Sequence, residues 1–100
     1  MRLIYLPKNE EEKIGNILKT SDKVRTIIIA SEYGKYKKGD YVKTLGGERL
    51  VVSDAKIMKN LQEFKNDFVR YPELKDTNLD EIKQAFTHKK VEIIELRKYR

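Results

Sequence analysis

Hydrophobic and polar residues recur with two different periods along this chain, and the points where the period changes predict its elements. "RLIYL" (2–6) is an apolar run stopped by Pro7, which predicts a strand. Beyond it, Ile14, Ile17 and Leu18 fall at helical spacing. Asn9 with Glu12 three residues on is a capping-box arrangement opening that helix. "VRTIIIA" (24–30) is β-branched and too short for a helix, so it predicts a second strand, and "SEYGKYKKGD" (31–40) follows as a loop. "YVKTL" (41–45), Gly46-Gly47 and "ERLVVSDAKIM" (48–58) give the clearest hairpin signal. Asn60 with Glu63 opens a helix faced by Leu61, Phe64 and Phe68; Asn78 with Glu81 opens another faced by Leu79, Ile82 and Phe86. A loop with Pro72 separates the two. "VEIIELRKY" (91–99) alternates, with Val91, Ile93, Glu95 and Arg97 on one face and Glu92, Ile94, Leu96 and Lys98 on the other.

The predicted order is β-α-β-β-β-α-α-β. The helices are too few to separate parallel neighbours, so the sheet is expected to be mostly antiparallel. Five strands in a chain of 100 residues curl most economically into a small barrel with about three helices around it. No repeat, linker or low-complexity tract interrupts the sequence, and residues 1–100 read as one α+β domain.

Composition narrows the function classes. No stretch approaches the roughly 18–20 apolar residues of a membrane span, and the first residues lack the pattern of a signal peptide. With no cysteine, disulfides, thiolate metal sites and cysteine nucleophiles are excluded, and the cytoplasm is the expected compartment. The net charge of +6 suits a polyanion partner, although 38% charged residues also fit a heavily solvated, heat-adapted surface. The glycines do not form a phosphate cradle. One histidine, His88 in "THKK", reads as exposed, and a zinc site or a Ser-His-Asp triad lacks its partners. Asp54 and Lys56, on one strand face, read as cross-strand surface ion-pair residues. No cofactor or metal is implied.

Two constellations carry chemistry. "YGKYKKGDYVK" (33–43) interleaves four lysines with three tyrosines, as phosphate neutralisation and base stacking require. The same tyrosines also suit the covering of one end of a core. The second is "DKVRTIII" (22–29), a strand that begins charged and ends apolar, as if leaving a wet mouth. Lys23 in a desolvated pocket could take the proton of the Thr26 hydroxyl; the competing reading makes Lys23 a surface residue and Thr26 a core one.

Ile17-Leu18 closing a helix, Lys23 to Thr26, the Lys37-Lys38-Gly39-Asp40 turn, the Leu79-Asp80-Glu81-Ile82-Lys83 helix and the strand from Val91 to Leu96 resemble, in order and spacing, an ASCH domain of the PUA-like superfamily. The resemblance implies a PUA-like barrel with a cleft for RNA or a modified nucleoside. It places Lys23, Arg25 and Thr26 in that cleft, with Lys35, Tyr36, Lys37 and Lys38 at its rim. One small bacterial branch of the family removes the acetyl group from N4-acetylcytidine. By that resemblance Thr26 would be nucleophile, Lys23 its base and Glu73 the proton donor. Ile28 stands where the branch often carries arginine. Three readings therefore stand side by side: an RNA or nucleoside binder, an amidohydrolase, and a protein-interaction module with a contiguous apolar patch.

Overall fold

A computed structural model describes residues 2–99. Its elements are β1 (Arg2–Leu3), α1 (Lys8–Ile17), β2 (Lys23–Ala30), β3 (Tyr41–Lys43), β4 (Arg49–Met58), α2 (Leu61–Arg70), a 3₁₀ turn (Pro72–Leu74), α3 (Leu79–His88) and β5 (Lys90–Lys98). The five strands form one mixed sheet in the order β1-β3-β4-β5-β2, with β1 parallel to β3 and the other ladders antiparallel. Among the described residues the sheet is open. Strands β1 and β2 are its two edges, so the expected closure into a barrel is not made.

Instead, helices cover both faces. On one face Ile14 and Leu18 of the α1 segment meet Val24, Ile28, Val42, Leu50, Val52, Ile94 and Leu96. On the other, Phe64 of α2, Leu74 of the 3₁₀ turn and Ile82 of α3 meet Met58, Val91 and Ile93. Strand β5 is apolar on both sides because it runs through the centre of this three-layer arrangement.

Strand β4 serves both cores through a bulge. Val52 pairs with Leu96 and Asp54 with Glu95, leaving Ser53 as an extra residue in the ladder. Leu50 and Val52 therefore face α1, whereas Met58, of the same parity, faces α2 and α3. A one-residue slip exchanges the two faces of a strand, and the bulge makes that exchange within β4.

Local chemistry accounts for the ends. Asn60 accepts the backbone N–H of Glu63 at 3.0 Å, and Glu63 returns a carboxylate to the N–H of Lys59 at 2.8 Å. Asn78 accepts from Asp80 and Glu81. At α1 the expected cap at Asn9 does not form, because the helix starts at Lys8 with Pro7 before it. The carboxylates that follow are used elsewhere. Glu11 accepts the Gly46 N–H at 2.6 Å, tying α1 to the β3–β4 turn, where a Cβ on Gly46 would stand 2.9 Å from the same oxygen. That turn is one residue longer than Gly46-Gly47 alone: Thr44 and Glu48 close it, with Gly47 at φ +95°.

Replacing Phe64 by Ala should cost about 3–5 kcal/mol in urea denaturation. Val69→Ala on the same helix, where the side chain is 81% exposed, should stay within about 0.5 kcal/mol. A loss at Phe64 no larger than that at Val69 would mean α2 is not packed on the sheet as described.

Candidate functional site

The regular β2–β5 register decides where the candidate residues go. Lys23 pairs with Arg97, Arg25 with Glu95, and Thr26 with Ile94. Residues three apart on a strand point to opposite faces, so Lys23 and Arg25 lie on the α2/α3 side and Thr26 on the α1 side. The expected Lys23–Thr26 pair is thereby separated. Thr26 is 1% exposed and donates its hydroxyl to Glu10 at 2.9 Å, while the other Glu10 oxygen stands 3.6 Å from Lys13. The carboxylate beside Thr26 comes from α1, a partner nothing in the spacing of residues 23–26 reveals.

On the α2/α3 side the charges converge on Glu95. Its carboxylate accepts from Arg25 at 2.9 Å and from the hydroxyl of Ser53, the bulge residue, at 2.7 Å. Arg97 stands at 3.4 Å and Lys23 at 3.9 Å. Burial works to raise the Glu95 pKa. The Ser53 hydrogen bond and the charges of Arg25, Lys23 and Arg97 outweigh it, leaving the carboxyl below its ordinary 4.5.

Arg25 is held from three directions. Glu95 binds its guanidinium, the Tyr71 ring lies 3.7 Å beneath it, and Glu73 stands 3.9 Å from its Nη1. Glu73 also accepts the backbone N–H of Arg25 at 3.1 Å. This bond caps the free edge of β2, which would otherwise expose an unpaired donor. The 3₁₀ turn that carries Glu73 is thus fastened to the strand that carries Arg25.

Three cavities lie around this cluster. One of about 440 Å³ is lined by Lys23, Ser21 and Ile17 with Glu73, Pro72 and Asp76, so Lys23 and Glu73 do share a site. Beside it, a cavity of about 450 Å³ adds Glu10 and Asn9, sharing Lys13, Ile17 and Asp76 with the first. On the other side of Arg25 a niche of about 20 Å³, the size of one water, lies among Tyr71, Lys56, Asp67 and Glu95. Lys56 binds Asp67 of α2 at 3.0 Å rather than a residue of a neighbouring strand, and the second Asp67 oxygen is buried without a hydrogen-bond partner among the described residues.

The expected rim goes elsewhere. Tyr36 is 2% exposed and packs in the α1-side core, its hydroxyl donating to the Leu3 carbonyl. It offers no face to a base. Lys35, Lys37 and Lys38 are exposed around it, and Glu92 ties the same loop to β5 by accepting the Gly34 N–H. Lys23, Arg25 and Glu73 come together; Thr26, Lys35, Tyr36, Lys37 and Lys38 do not join them. The described residues contain no group of three or more side chains able to hold a metal ion, and no helix long and apolar enough to cross a membrane.

No protein-family model matches the chain, and no curated protein matches it. Its fold is similar to that of a crystal structure of the hypothetical protein PH0355. That match has a TM-score of 0.63 at 17% identity and covers 99% of this chain and 100% of the other.

A carboxyl with a lowered folded-state pKa contributes stability above its unfolded value and loses it as pH falls through the folded one. Glu95 should therefore withdraw stability as pH drops from near 4.5 downward. Thermal melts across about pH 3 to 7 should show a shallower acid-side decline in Glu95→Gln than in the parent. Equal declines would mean that the Glu95 carboxylate does not stabilise the fold.

Proposed function

We propose that the chain binds RNA or a modified nucleoside in the groove between α1, the start of β2 and the 3₁₀ turn. The observation that carries this reading is the shared cavity of about 440 Å³ that brings Lys23 and Glu73 together. It is of the size expected for a small-molecule ligand site. Its chemistry suits a base and sugar with the phosphates of an RNA strand beside them. Lys13 and Lys23 offer ammonium groups to phosphate, Glu73 and Asp76 offer acceptors to exocyclic amino groups, and Ile17 and Pro72 offer apolar surface to a ring. Because Arg25 locks Glu73 in place through its backbone N–H, that acceptor is pre-oriented before any ligand arrives.

The resemblance to ASCH domains supports the same conclusion, with this open, helix-covered sheet in the role of the PUA-like barrel. A hydrolytic version of the reading has one geometric support, the meeting of Lys23 with Glu73. Against it stand two facts. The Thr26 hydroxyl is buried and already donated to Glu10. The Lys23 side chain is 45% exposed and ion-paired with Glu95, not enclosed in the desolvated pocket that a neutral amine base depends on. Binding without turnover is the better fit.

Incubation with N4-acetylcytidine, followed by calorimetry and by chromatography for released cytidine, separates these. Saturable binding without release is expected, weakened about tenfold or more in Glu73→Ala, the loss of a charged hydrogen-bond acceptor. Release that disappears in Thr26→Ala would instead establish the hydrolase. Absence of binding to this nucleoside, to cytidine and to RNA would overturn the reading.

A further inference from the structure

The α2/α3-side face of the sheet is only half covered. The helices lie over Met58, Val91 and Ile93, and the row formed by Arg25, Glu95 and Asp54 marks their limit. Beyond that row the ladders align Tyr41, Val51, Arg97 and Lys23 across four strands. One row further out Lys43 pairs with Arg49, and the Tyr99 N–H bonds to the Arg49 carbonyl at 3.1 Å. These two outer rows hold two tyrosines and four cations, and no carboxylate among the described residues.

The tyrosines stand together in the open. Tyr41 is 53% and Tyr99 44% exposed, their rings 5.0 Å apart and edge to face. A cavity of about 450 Å³ beside them is bounded by Arg2, Gly39 and Asp40. Asp40 is neutralised by Arg2 at 3.1 Å, and Glu95 is already shared among Arg25, Arg97 and Lys23. Asp54 in the boundary row is exposed, so this face sets one open carboxylate against four cations; its balance is positive, and its tyrosines add aromatic surface. Strands lie about 4.8 Å apart, so the row from Tyr41 to Lys23 spans about 14 Å.

We propose that this open sheet face is a platform for single-stranded nucleic acid. Bases stack on Tyr41 and Tyr99, and phosphates run over Lys43, Arg49 and Arg97 to Lys23. Lys23 also lines the nucleoside groove, so the platform delivers the strand to that groove. This inference rests on the nucleic-acid reading above and extends it to the flanking nucleotides. A protein partner is disfavoured by the four cations, which would need matching carboxylates; an unpaired nucleic-acid strand supplies both the charge and the flat rings.

The test uses anisotropy of a labelled oligouridine of about 10 nucleotides, with a duplex of the same length as competitor. Tyr41→Ala and Tyr99→Ala should each weaken oligouridine binding roughly 5- to 100-fold, while leaving mononucleoside affinity unchanged. Arg49→Ala and Lys43→Ala should each lower the slope of log affinity against log salt by about one. Lys35→Ala, on the other side of the sheet, should change neither tyrosine-dependent stacking nor mononucleoside binding. Oligouridine binding that is unaltered in both tyrosine variants would overturn the platform and leave the groove standing. No oligouridine binding at low salt would also overturn it, and with no mononucleoside binding either, the whole nucleic-acid reading falls. Duplex competing as well as single strand, or self-association of the free protein that disappears in the tyrosine variants, would assign the face to another occupant.

Discussion

The carboxylate of Glu95 stays charged near the middle of a sheet because four groups converge on it: the Ser53 hydroxyl, Arg25, Arg97 and Lys23. A partly buried charge is tolerated only when it is paired and hydrogen-bonded, so each of these groups has a fixed place. Ser53 reaches Glu95 because β4 bulges there, and the bulge is also what turns Met58 toward the second core. Arg25, drawn to Glu95, spreads over Tyr71 and brings its backbone N–H against Glu73. The end of α2, the 3₁₀ turn and the edge strand β2 are thus assembled around one carboxylate.

That assembly divides the sheet face. On one side of the Glu95 row, α2 and α3 close over an apolar core; on the other, the strands run on uncovered and carry cations and tyrosines. The groove that holds Lys23 and Glu73 opens at the same boundary. Packing on this face therefore ends along a single line of charge, which explains why Lys23 and Arg25 are charged while Ile27, further along the same face of the strand, packs beneath the helices.

Much of the fold is legible in the sequence because its signals are local. The Asn60 and Asn78 caps, the glycine turn and the two-sided alternation of residues 91–98 depend on near neighbours, and the order of elements follows from them. What escapes reading depends on register. No pattern in "RLVVSDAKIM" shows which residue is the bulge, since either parity supplies apolar positions. The order β1-β3-β4-β5-β2, which keeps the sheet open, is set by pairing across the whole chain. Tyr36 sits among lysines yet is buried, because the loop folds its ring inward beneath Arg2 and Lys35. Strand parity does show that Lys23 and Thr26 face apart, and it separates the pair that both the residue types and the resemblance suggested. Glu10 and Asp67 had no signal, because each meets its partner only when a helix is laid on the sheet.

Binding of a nucleic-acid strand is proposed for the sheet face organised by Glu95, not for the lysine-rich loop on the α1 side. Amide chemical-shift mapping with a short oligouridine tests it most directly. Shifts are expected at residues 23–25, 41–43, 71–73 and 95–99, continuous across the strands paired in the sheet. Shifts confined to the 33–39 loop, with residues 95–99 silent, would contradict it.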